Sequence, residues 1–356
     1  MTDRCSRHTA RTSEDFRVPI DVHQHIWPPA FVELLRARTA PPRLDGWTLH
    51  LEGEPPFAVD PGDHDVEARV RLAVADGLDV ALVSLSSPLG IEYLRPAESL
   101  PLLDAFHTGA LALPAPFGVW ASPCLSAPDP AAVEQALRQG CVGLQLPATA
   151  LLDDVGWRTC APLLDVLTRL DRPLFVHPGA ALSAPGVPSW WAALVPYQQQ
   201  LHSAWFAFRA FGRARHPGLR VCFAALAGLA PLHGERLAAR GGGRGEVDFD
   251  VFYDTSSYGT RAVDALVRAA GIDVVVSGSD RPYAPPVIPD LGADAAVHAL
   301  RTVNPACCTA ASDPCDGPHP GREHRRDVLV PAGPHARQAR TPAARRRPGS
   351  PARTLA

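Results

Sequence analysis

Short apolar runs recur along residues 17–303, and each is followed by a loop and then by a stretch with helical spacing. Most of the runs are apolar without alternation, which is typical of strands that are covered on both faces. They predict eight strands: Arg17–Ile26, Val80–Leu85, Phe117–Ala121, Val142–Leu146, Pro173–His177, Leu219–Leu226, Val251–Thr255 and Asp273–Ser277.

The segments between these strands predict helices over Val66–Gly77, Ala131–Arg138, Gly156–Leu170, Trp190–Arg213, Pro231–Arg240, Arg261–Ala270 and Ala293–Val303. Asp65 and Asp129 are suited to cap helix N-termini, and Gly77, Gly140 and Gly271 stand where helix C-termini are expected. Eight strands that alternate with helices favour an α/β TIM barrel, the (β/α)₈ fold, over the alternative of an open, doubly wound parallel sheet.

Residue types that bind metals stand at or just after the C-terminal ends of three predicted strands. His23 and His25 are two residues apart in the first strand, so their side chains point to the same face. His177 ends the fifth strand, and Asp280 follows the eighth. The C-terminal ends of barrel strands form the active site in this fold, and imidazole and carboxylate suit zinc and related cations. A single histidine usually has a structural role, but the four residues together predict a metal site.

Composition narrows the function. The 34 basic residues are all arginines, so no lysine can form a Schiff base, and the net charge is −3. Acidic residues predominate up to residue 304, which argues against a nucleic-acid partner. No apolar run is long enough to span a bilayer and residues 1–16 lack an apolar signal core. We therefore expect a cytoplasmic protein with reduced cysteines and a small-molecule substrate.

Four segments carry a family resemblance: "DVHQHIWPP" at 21–29, "LFVHPG" at 174–179, "FYDTSSYG" at 252–259 and "GSDRPY" at 278–283. Over about residues 17–305 the chain resembles the amidohydrolase superfamily, in the branch of amino-carboxymuconate-semialdehyde decarboxylase. The resemblance implies a TIM barrel with one divalent metal, usually Zn²⁺. Its ligands would be His23, His25, His177 and Asp280, and a homodimer is plausible on the same ground. A set of three nitrogens and one oxygen also permits Mn²⁺, Fe²⁺ or Co²⁺.

One position departs from the family pattern. After the sixth strand the family usually has Ala-His-Leu-Gly-Gly, with the histidine beside the metal, whereas this chain has Ala224-Ala225-Leu226-Ala227-Gly228. Ala225 cannot transfer a proton, and the loss of one such polar group typically lowers the rate by about 10²–10³. Either another residue compensates, or the reaction does not need the histidine, or the protein is a weak or inactive enzyme.

Five residues are candidates for binding the substrate or compensating for Ala225: Asp254, Arg281, Tyr258, Tyr283 and His233. Each has a plainer alternative. Asp254 could support the site, Arg281 could form a structural salt bridge, and His233 could lie on a helix surface. Trp190, Trp191 and Tyr197 are interpreted either as an apolar wall over the site or as the packing of a long helix.

The resemblance implies either hydrolysis of a small amide, ester or lactone or decarboxylation of a carboxylic acid, and Ala225 favours the metal-dependent hydrolase. A divalent metal lowers the pKa of a bound water toward about 7, and Asp280 is the expected catalytic acceptor and later donor of its proton. The alternative is a decarboxylase of an aromatic or unsaturated carboxylic acid, which needs a proton delivered to carbon, and Ala225 cannot support that step. A second alternative is a non-catalytic metal-binding barrel.

The chain is predicted to comprise a flexible N-terminus (1–16), the barrel domain (17–305) and a disordered basic tail (306–356). The tail is rich in Pro, Arg, Ala and Gly, which bury too little apolar surface to offset the entropy lost on ordering. The family commonly continues Asn-Pro-Ala-Arg-Leu-Leu, whereas Cys307-Cys308 follow Ala306 here. Codons for Arg-Leu-Leu displaced by one base can encode Cys-Cys, so a frameshift and a genuine tail are both open.

Overall fold

A computed structural model of the chain describes residues 18–181, 186–242 and 247–309. The strands in these ranges include all eight that the sequence predicts. They are β1 (Ile20–Gln24), β2 (Arg43–Asp45), β3 (Thr48–His50), β4 (Phe57–Ala58), β5 (Val80–Val83), β6 (Phe117–Val119), β7 (Leu144–Pro147), β8 (Leu174–His177), β9 (Val221–Phe223), β10 (Val251–Asp254) and β11 (Val275–Val276).

Eight of the strands run parallel and form one closed barrel in the order β1, β5, β6, β7, β8, β9, β10, β11. Two short pairings complete the ring. Ala121 pairs with Leu144 between β6 and β7, and Gln24 pairs with Arg281 just beyond β11. Because the sheet closes on itself, the fold is the predicted TIM barrel and the open doubly wound sheet is excluded.

The α-helices of the described ranges are α1 (Pro29–Ala37), α2 (Val66–Ala75), α3 (Pro96–Leu111), α4 (Pro130–Arg138), α5 (Asp154–Leu170), α6 (Trp191–Leu194), α7 (Pro196–Ala207), α8 (Arg213–Arg215), α9 (Gly234–Ala239), α10 (Thr260–Ala270), α11 (Asp294–His298) and α12 (Asn304–Thr309). The side chains of Asp65 and Asp129 cap α2 and α4, as predicted. The single helix expected over 190–213 is instead divided at Pro196 and by a π-helical turn at Phe208–Gly212.

A small antiparallel sheet, β2–β4, lies between α1 and α2 and was not predicted from the sequence. Leu44 pairs with Leu49 and both side chains are buried, while a left-handed Gly46 makes the turn between their strands. Strands of two or three residues are too short to show a clear alternation of polar and apolar positions. This sheet carries the turn at 51–56 that bears on the substrate site below.

Aromatic side chains fill the barrel beneath the candidate metal ligands. The Phe175 ring lies 5.0 Å from the His23 ring and stacks at 5.2 Å on Trp120, and both aromatic side chains are fully buried. The Trp120 indole N–H donates to the Val22 carbonyl at 3.0 Å. A side chain at Gly143 would approach the Trp120 ring to 2.6 Å, so glycine is required there. The candidate site therefore opens toward the C-terminal mouth of the barrel.

The C-terminal boundary of the folded part differs from the prediction. Helix α12 continues to Thr309, Cys308 in it is fully buried, and the Asn304 amide donates to the Ile272 and Val275 carbonyls at 2.8 Å. The predicted start of the tail at 306 is therefore wrong, because these contacts hold 306–309 against the barrel. The rest of that tail and the predicted N-terminal segment lie outside the described residues. Within the described ranges, no helix is long and apolar enough to cross a bilayer.

Candidate metal centre

The four predicted ligands converge at the C-terminal mouth of the barrel. His23 and His25 come from β1 and the residue after it, His177 ends β8, and Asp280 follows β11. One nitrogen or oxygen from each side chain lies within 4.8 Å of the others, and the three histidines are buried. The barrel thus brings together residues that are up to 257 positions apart, because the C-terminal ends of its parallel strands meet at one rim.

Each imidazole is fixed through its Nδ1 atom. Nδ1 of His23 donates to Asp254 at 2.7 Å, Nδ1 of His25 to the Ser84 carbonyl at 2.9 Å, and Nδ1 of His177 to the Pro178 carbonyl at 2.8 Å. These acceptors are a carboxylate and two carbonyls, so Nδ1 must carry the hydrogen in all three rings. The Nε2 lone pairs are then left to face the centre of the cluster, the orientation found in histidines that bind metals.

The spacing of the ligand atoms fits one cation. Nε2 of His23 and Nε2 of His25 are 3.0 Å apart, and Asp280 Oδ1 lies 3.5 Å and 3.2 Å from them. Ligands held at about 2.0–2.2 Å from a common metal at angles of about 90–110° are separated by about 2.8–3.6 Å. The three rings also stand about equally far apart, with centroids 4.9–5.1 Å from one another.

Electrostatics favours the neutral, ligating form of two histidines. Burial lowers the pKa of His177 well below its usual range, and the neighbouring His23 and His25 lower it further. Burial also lowers the pKa of His25. Burial acts in the same direction on His23, but the charges of Asp254 and Asp280 outweigh it and raise the pKa of that ring. His23 is therefore the most basic of the three nitrogen ligands.

Asp254 was predicted as a substrate-binding residue, and the structure corrects this. Its carboxylate is fully buried behind His23 and is occupied on both oxygens. Oδ1 accepts the amide hydrogens of Ala225 and Ser256 at 2.8 Å and 3.0 Å. Asp254 therefore orients His23, which was the alternative for this residue, and has no open face for a substrate.

Asp280 joins the cluster to the solvent-exposed mouth. Its side chain is 25% exposed; Oδ1 faces the histidines, and Oδ2 lies 3.5 Å from the Ser257 hydroxyl. Asp280 and Ser257 both adopt left-handed backbone angles, with φ of 65° and 61°. Such angles are uncommon outside glycine and concentrate at functional sites. Asp280 is thus the one acidic ligand of the cluster that a substrate could meet.

Arg281 was also predicted to bind substrate, and the structure shows a structural salt bridge instead. Its Nε and Nη2 atoms donate to the two carboxylate oxygens of Asp76 at 2.9 Å and 3.1 Å. This paired geometry occupies the guanidinium group at the end of α2. Arg281 therefore ties the loop after β11 to α2 and is not available to a substrate carboxylate.

The remaining candidates differ in their distance from the cluster. The Tyr283 ring packs 5.4 Å from His25 and its hydroxyl lies 3.4 Å from the Ser86 hydroxyl, so Tyr283 stands at the mouth beside the cluster. The Tyr258 hydroxyl donates to Gln198 of α7 at 3.3 Å. His233 is exposed and its ring contacts His202 at 5.0 Å, which supports its alternative as a surface residue.

Ala225 begins an unusual segment of backbone. Residues 225–229 all have φ between 45° and 61°, although only Gly228 among them is a glycine. The left-handed conformation costs roughly 1–2 kcal/mol for each other residue. Burial of Leu226, Ala227 and Ala230 offsets this cost. The Ala225 amide reaches Asp254, so position 225 is separated from His23 by one carboxylate.

Several contributors to the site were not predicted. Ser84 acts through its backbone carbonyl, which leaves no trace in the residue type. Ser257 was hidden within the motif "FYDTSSYG" because its left-handed angle is not evident from a serine. Glu54 lies in the unpredicted β2–β4 sheet, where its carboxylate meets the Tyr197 hydroxyl. The one sequence signal for Ser257 is its place in the motif "FYDTSSYG".

No protein-family model and no curated protein sequence matches the chain. Solved structures do match its fold. IDCase from Metarhizium anisopliae aligns with a TM-score of 0.67 at 16% identity, covering 82% of this chain and 97% of the other. 5-Carboxyvanillate decarboxylase from Sphingomonas paucimobilis aligns at 0.62 and 17%, covering 84% and 100%.

The 5-carboxyvanillate decarboxylase of Novosphingobium aromaticivorans, solved with manganese and 4-hydroxy-3-methoxy-5-nitrobenzoic acid, aligns at a TM-score of 0.60 and 16% identity, covering 83% of this chain and 97% of the other. At such low identity the similarity concerns the fold. The chain has the TIM-barrel fold of these enzymes over nearly their whole length, in agreement with the fold that the amidohydrolase resemblance implied.

Proposed function

We propose that this protein is a metal-dependent enzyme of the amidohydrolase superfamily and that His23, His25, His177 and Asp280 hold one divalent cation. The observation that carries the proposal is the convergence of three Nε2 lone pairs and one carboxylate oxygen at the barrel mouth. The motif resemblance and the shared fold support it. Manganese in the Novosphingobium enzyme makes Mn²⁺ a candidate beside Zn²⁺.

The reaction that we propose is the decarboxylation of an aromatic or unsaturated carboxylic acid. The sequence alone favoured hydrolysis, but structures of the same fold include decarboxylases of an aromatic acid. The bound cation would supply positive charge that polarises the carboxylate or carbonyl of the substrate. Its histidine ligands are held rigidly, which keeps that charge in place.

Residues of the chain would then orient the substrate and manage its proton. Asp280 is the partly exposed carboxylate at the cluster, so it is positioned to hold a proton beside the reacting carbon, with Ser257 at its outer oxygen. Phe175 and Trp120 close the space below the histidines and keep water from that side. Tyr283, against His25, provides a wall for a planar substrate.

Hydrolysis of an amide, ester or lactone is the second candidate, and Ala225 favours it. The structure shows no proton-transferring side chain at position 225, where only the backbone amide contacts Asp254. A hydrolase could use Asp280 as its acceptor and donor of protons without a further histidine. Decarboxylation and hydrolysis therefore differ in how strongly they depend on a second proton-transferring group beside Asp280.

Metal analysis combined with an activity screen tests the proposal. The protein is stripped with a chelator, reloaded with Zn²⁺ or Mn²⁺ and analysed by mass spectrometry, beside His177→Ala and the control His298→Ala, whose histidine is exposed on α11. We expect one metal per chain in the wild type and control, and loss of binding in His177→Ala. Equal metal content in all three proteins would overturn the proposed site.

The screen then separates the reactions. Hydroxylated benzoates are assayed for CO₂ release, and simple esters and lactones for hydrolysis, with each metal. Decarboxylation supports the main proposal, and hydrolysis alone supports the second candidate. Stoichiometric metal without turnover of any compound would instead identify a non-catalytic metal-binding barrel.

A further inference from the structure

A turn of the β2–β4 sheet reaches across to the start of α7. Glu54 lies in the turn between β3 and β4, and its Oε1 atom is 3.5 Å from the hydroxyl of Tyr197, which donates to it. The two residues are 143 positions apart, and both are partly buried. The contact thus joins the turn between β3 and β4 to the start of α7.

The start of α7 contacts two loops at the C-terminal end of the barrel, one of which follows the metal ligand His177. Gln200 accepts the Gly179 amide at 2.8 Å, two residues after His177, and Gln198 accepts the Tyr258 hydroxyl at 3.3 Å. Tyr197 directly precedes Gln198 in sequence. Burial raises the pKa of the Tyr197 phenol, and the nearby charges of Glu54 and Asp280 raise it further. Tyr197, with Glu54 as its hydrogen-bond partner, therefore lies near enough to Asp280 for the charge of that ligand to act on it.

Two arginines near the mouth, among the residues that the structure describes, are already paired. Arg69 is buried and donates to the His25 carbonyl at 2.7 Å and to Gln24 at 2.6 Å, while Arg281 is paired with Asp76. The chain contains no lysine. A carboxylate of the substrate would have the cation at the cluster as its partner, but a second carboxylate would face Glu54.

We propose that Glu54 and Tyr197 form a second, distal end of the substrate site that selects for a hydrogen-bond donor. The favoured substrate is an aromatic monocarboxylic acid with a hydroxyl or amino group away from its carboxylate, and dicarboxylic acids are rejected by Glu54. This inference rests on the proposed function, because the cluster must take up the reacting carboxylate. Glu54 acts here as a specificity-determining residue, and its charge is the selective element.

Titration calorimetry with three probes tests this selectivity: 3-hydroxybenzoate, 3-aminobenzoate and benzene-1,3-dicarboxylate. The wild type should bind the two monocarboxylates at least about tenfold more tightly than the dicarboxylate. Glu54→Gln removes the charge and should reduce that preference by about tenfold, mainly through tighter binding of the dicarboxylate. Tyr197→Phe, which removes the hydroxyl, should weaken 3-hydroxybenzoate and leave the dicarboxylate unchanged.

Glu52→Gln is the matched control, because Glu52 is an exposed glutamate on the same turn. It should reproduce the wild-type preference. The titrations are made with the manganese-loaded protein and with the protein as purified, and thermal unfolding confirms that each variant is folded. Equal affinity of the wild type for all three probes, an unchanged preference in Glu54→Gln, or failure of the acids to bind would each overturn the inference.

The result is separable from the proposed reaction. Binding that shows the expected preference without any turnover would refute the decarboxylase while the distal site stands. Turnover of aromatic acids with no effect of Glu54→Gln on the preference would support the decarboxylase and refute the distal site.

Discussion

The Asp254 carboxylate accepts a hydrogen bond from Nδ1 of His23 at 2.7 Å, although 231 residues separate the two. A carboxylate behind a metal-binding histidine fixes its tautomer and makes it a stronger ligand. We therefore expect Asp254→Asn to weaken metal affinity by about 10–100-fold, because the amide can present a donor to the ring nitrogen. Competition with a coloured chelator measures the affinity directly.

Asp264→Asn is a suitable control for this substitution, since Asp264 pairs with Arg268 on the outer face of α10. The control should bind metal as the wild type does. Metal affinity within twofold of wild type in folded Asp254→Asn would show that the hydrogen bond to His23 does not support a metal ligand.

The strands and the ligands of the site were predictable for the same reason. Strands of a parallel barrel are apolar on both faces. The two-residue repeat of a strand places His23 and His25 on the same side of the first strand, whatever the rest of the chain does. The roles of Arg281 and Asp254 were not predictable, because their partners, Asp76 and His23, lie more than 200 residues away in sequence. Neither partner can be inferred from local spacing.

Position 225 offers a direct test of whether the missing histidine limits the reaction. Ala225 has φ of 45°, a left-handed angle that histidine adopts more readily than most residues, so the backbone should accept Ala225→His. If decarboxylation needs a second acid, the rate on the best substrate should rise by about 10² or more. Initial rates at saturating metal provide the measurement.

Ala225→Asn is the control for this gain, since asparagine also tolerates the left-handed region but cannot transfer a proton at neutral pH. A similar gain in both variants would point to polarity and not to acid–base chemistry. An unchanged rate in Ala225→His with full metal content would mean that the reaction does not use an acid at this position.

Gly228 is required by the close approach of α7 to the left-handed segment. A Cβ atom there would collide with the Gln198 carbonyl oxygen and lie 3.1 Å from the His202 amide nitrogen, and φ is already 59°. We expect Gly228→Ala to lower the free energy of unfolding by about 2–4 kcal/mol, because backbone cannot move aside as a side chain can. Urea unfolding measures this loss.

Gly234→Ala is the contrasting substitution, because no heavy atom lies within 4 Å of its added Cβ and its φ of −55° is helical. That substitution should stabilise the protein by up to about 1 kcal/mol. Equal effects of the two alanines would mean that the contact between α7 and residue 228 is not close in solution.

Glu92 should make stability depend on pH. Its side chain is fully buried and accepts the Ser87 hydroxyl, which in turn accepts a hydrogen bond from Gln145 at 2.6 Å. Burial raises the pKa of Glu92 from 4.5 to about 7, although the bond from Ser87 acts in the other direction. Between these two values the unfolded chain loses the proton while the folded protein keeps it. The free energy of unfolding should therefore fall by about 3 kcal/mol as the pH rises from 4.5 to about 7, and Glu92 adds no further change above that.

Glu92→Gln stays neutral throughout this range, so its stability should lack the fall that Glu92 causes. The difference between the two proteins, measured by urea unfolding at half-unit steps of pH, isolates this residue from the other titrating groups. Glu67→Gln, on the exposed surface of α2, should leave the wild-type dependence intact. Parallel curves for wild type and Glu92→Gln would mean that Glu92 ionises in the folded protein as it does in the unfolded chain, and that water or a cation reaches its buried carboxyl group.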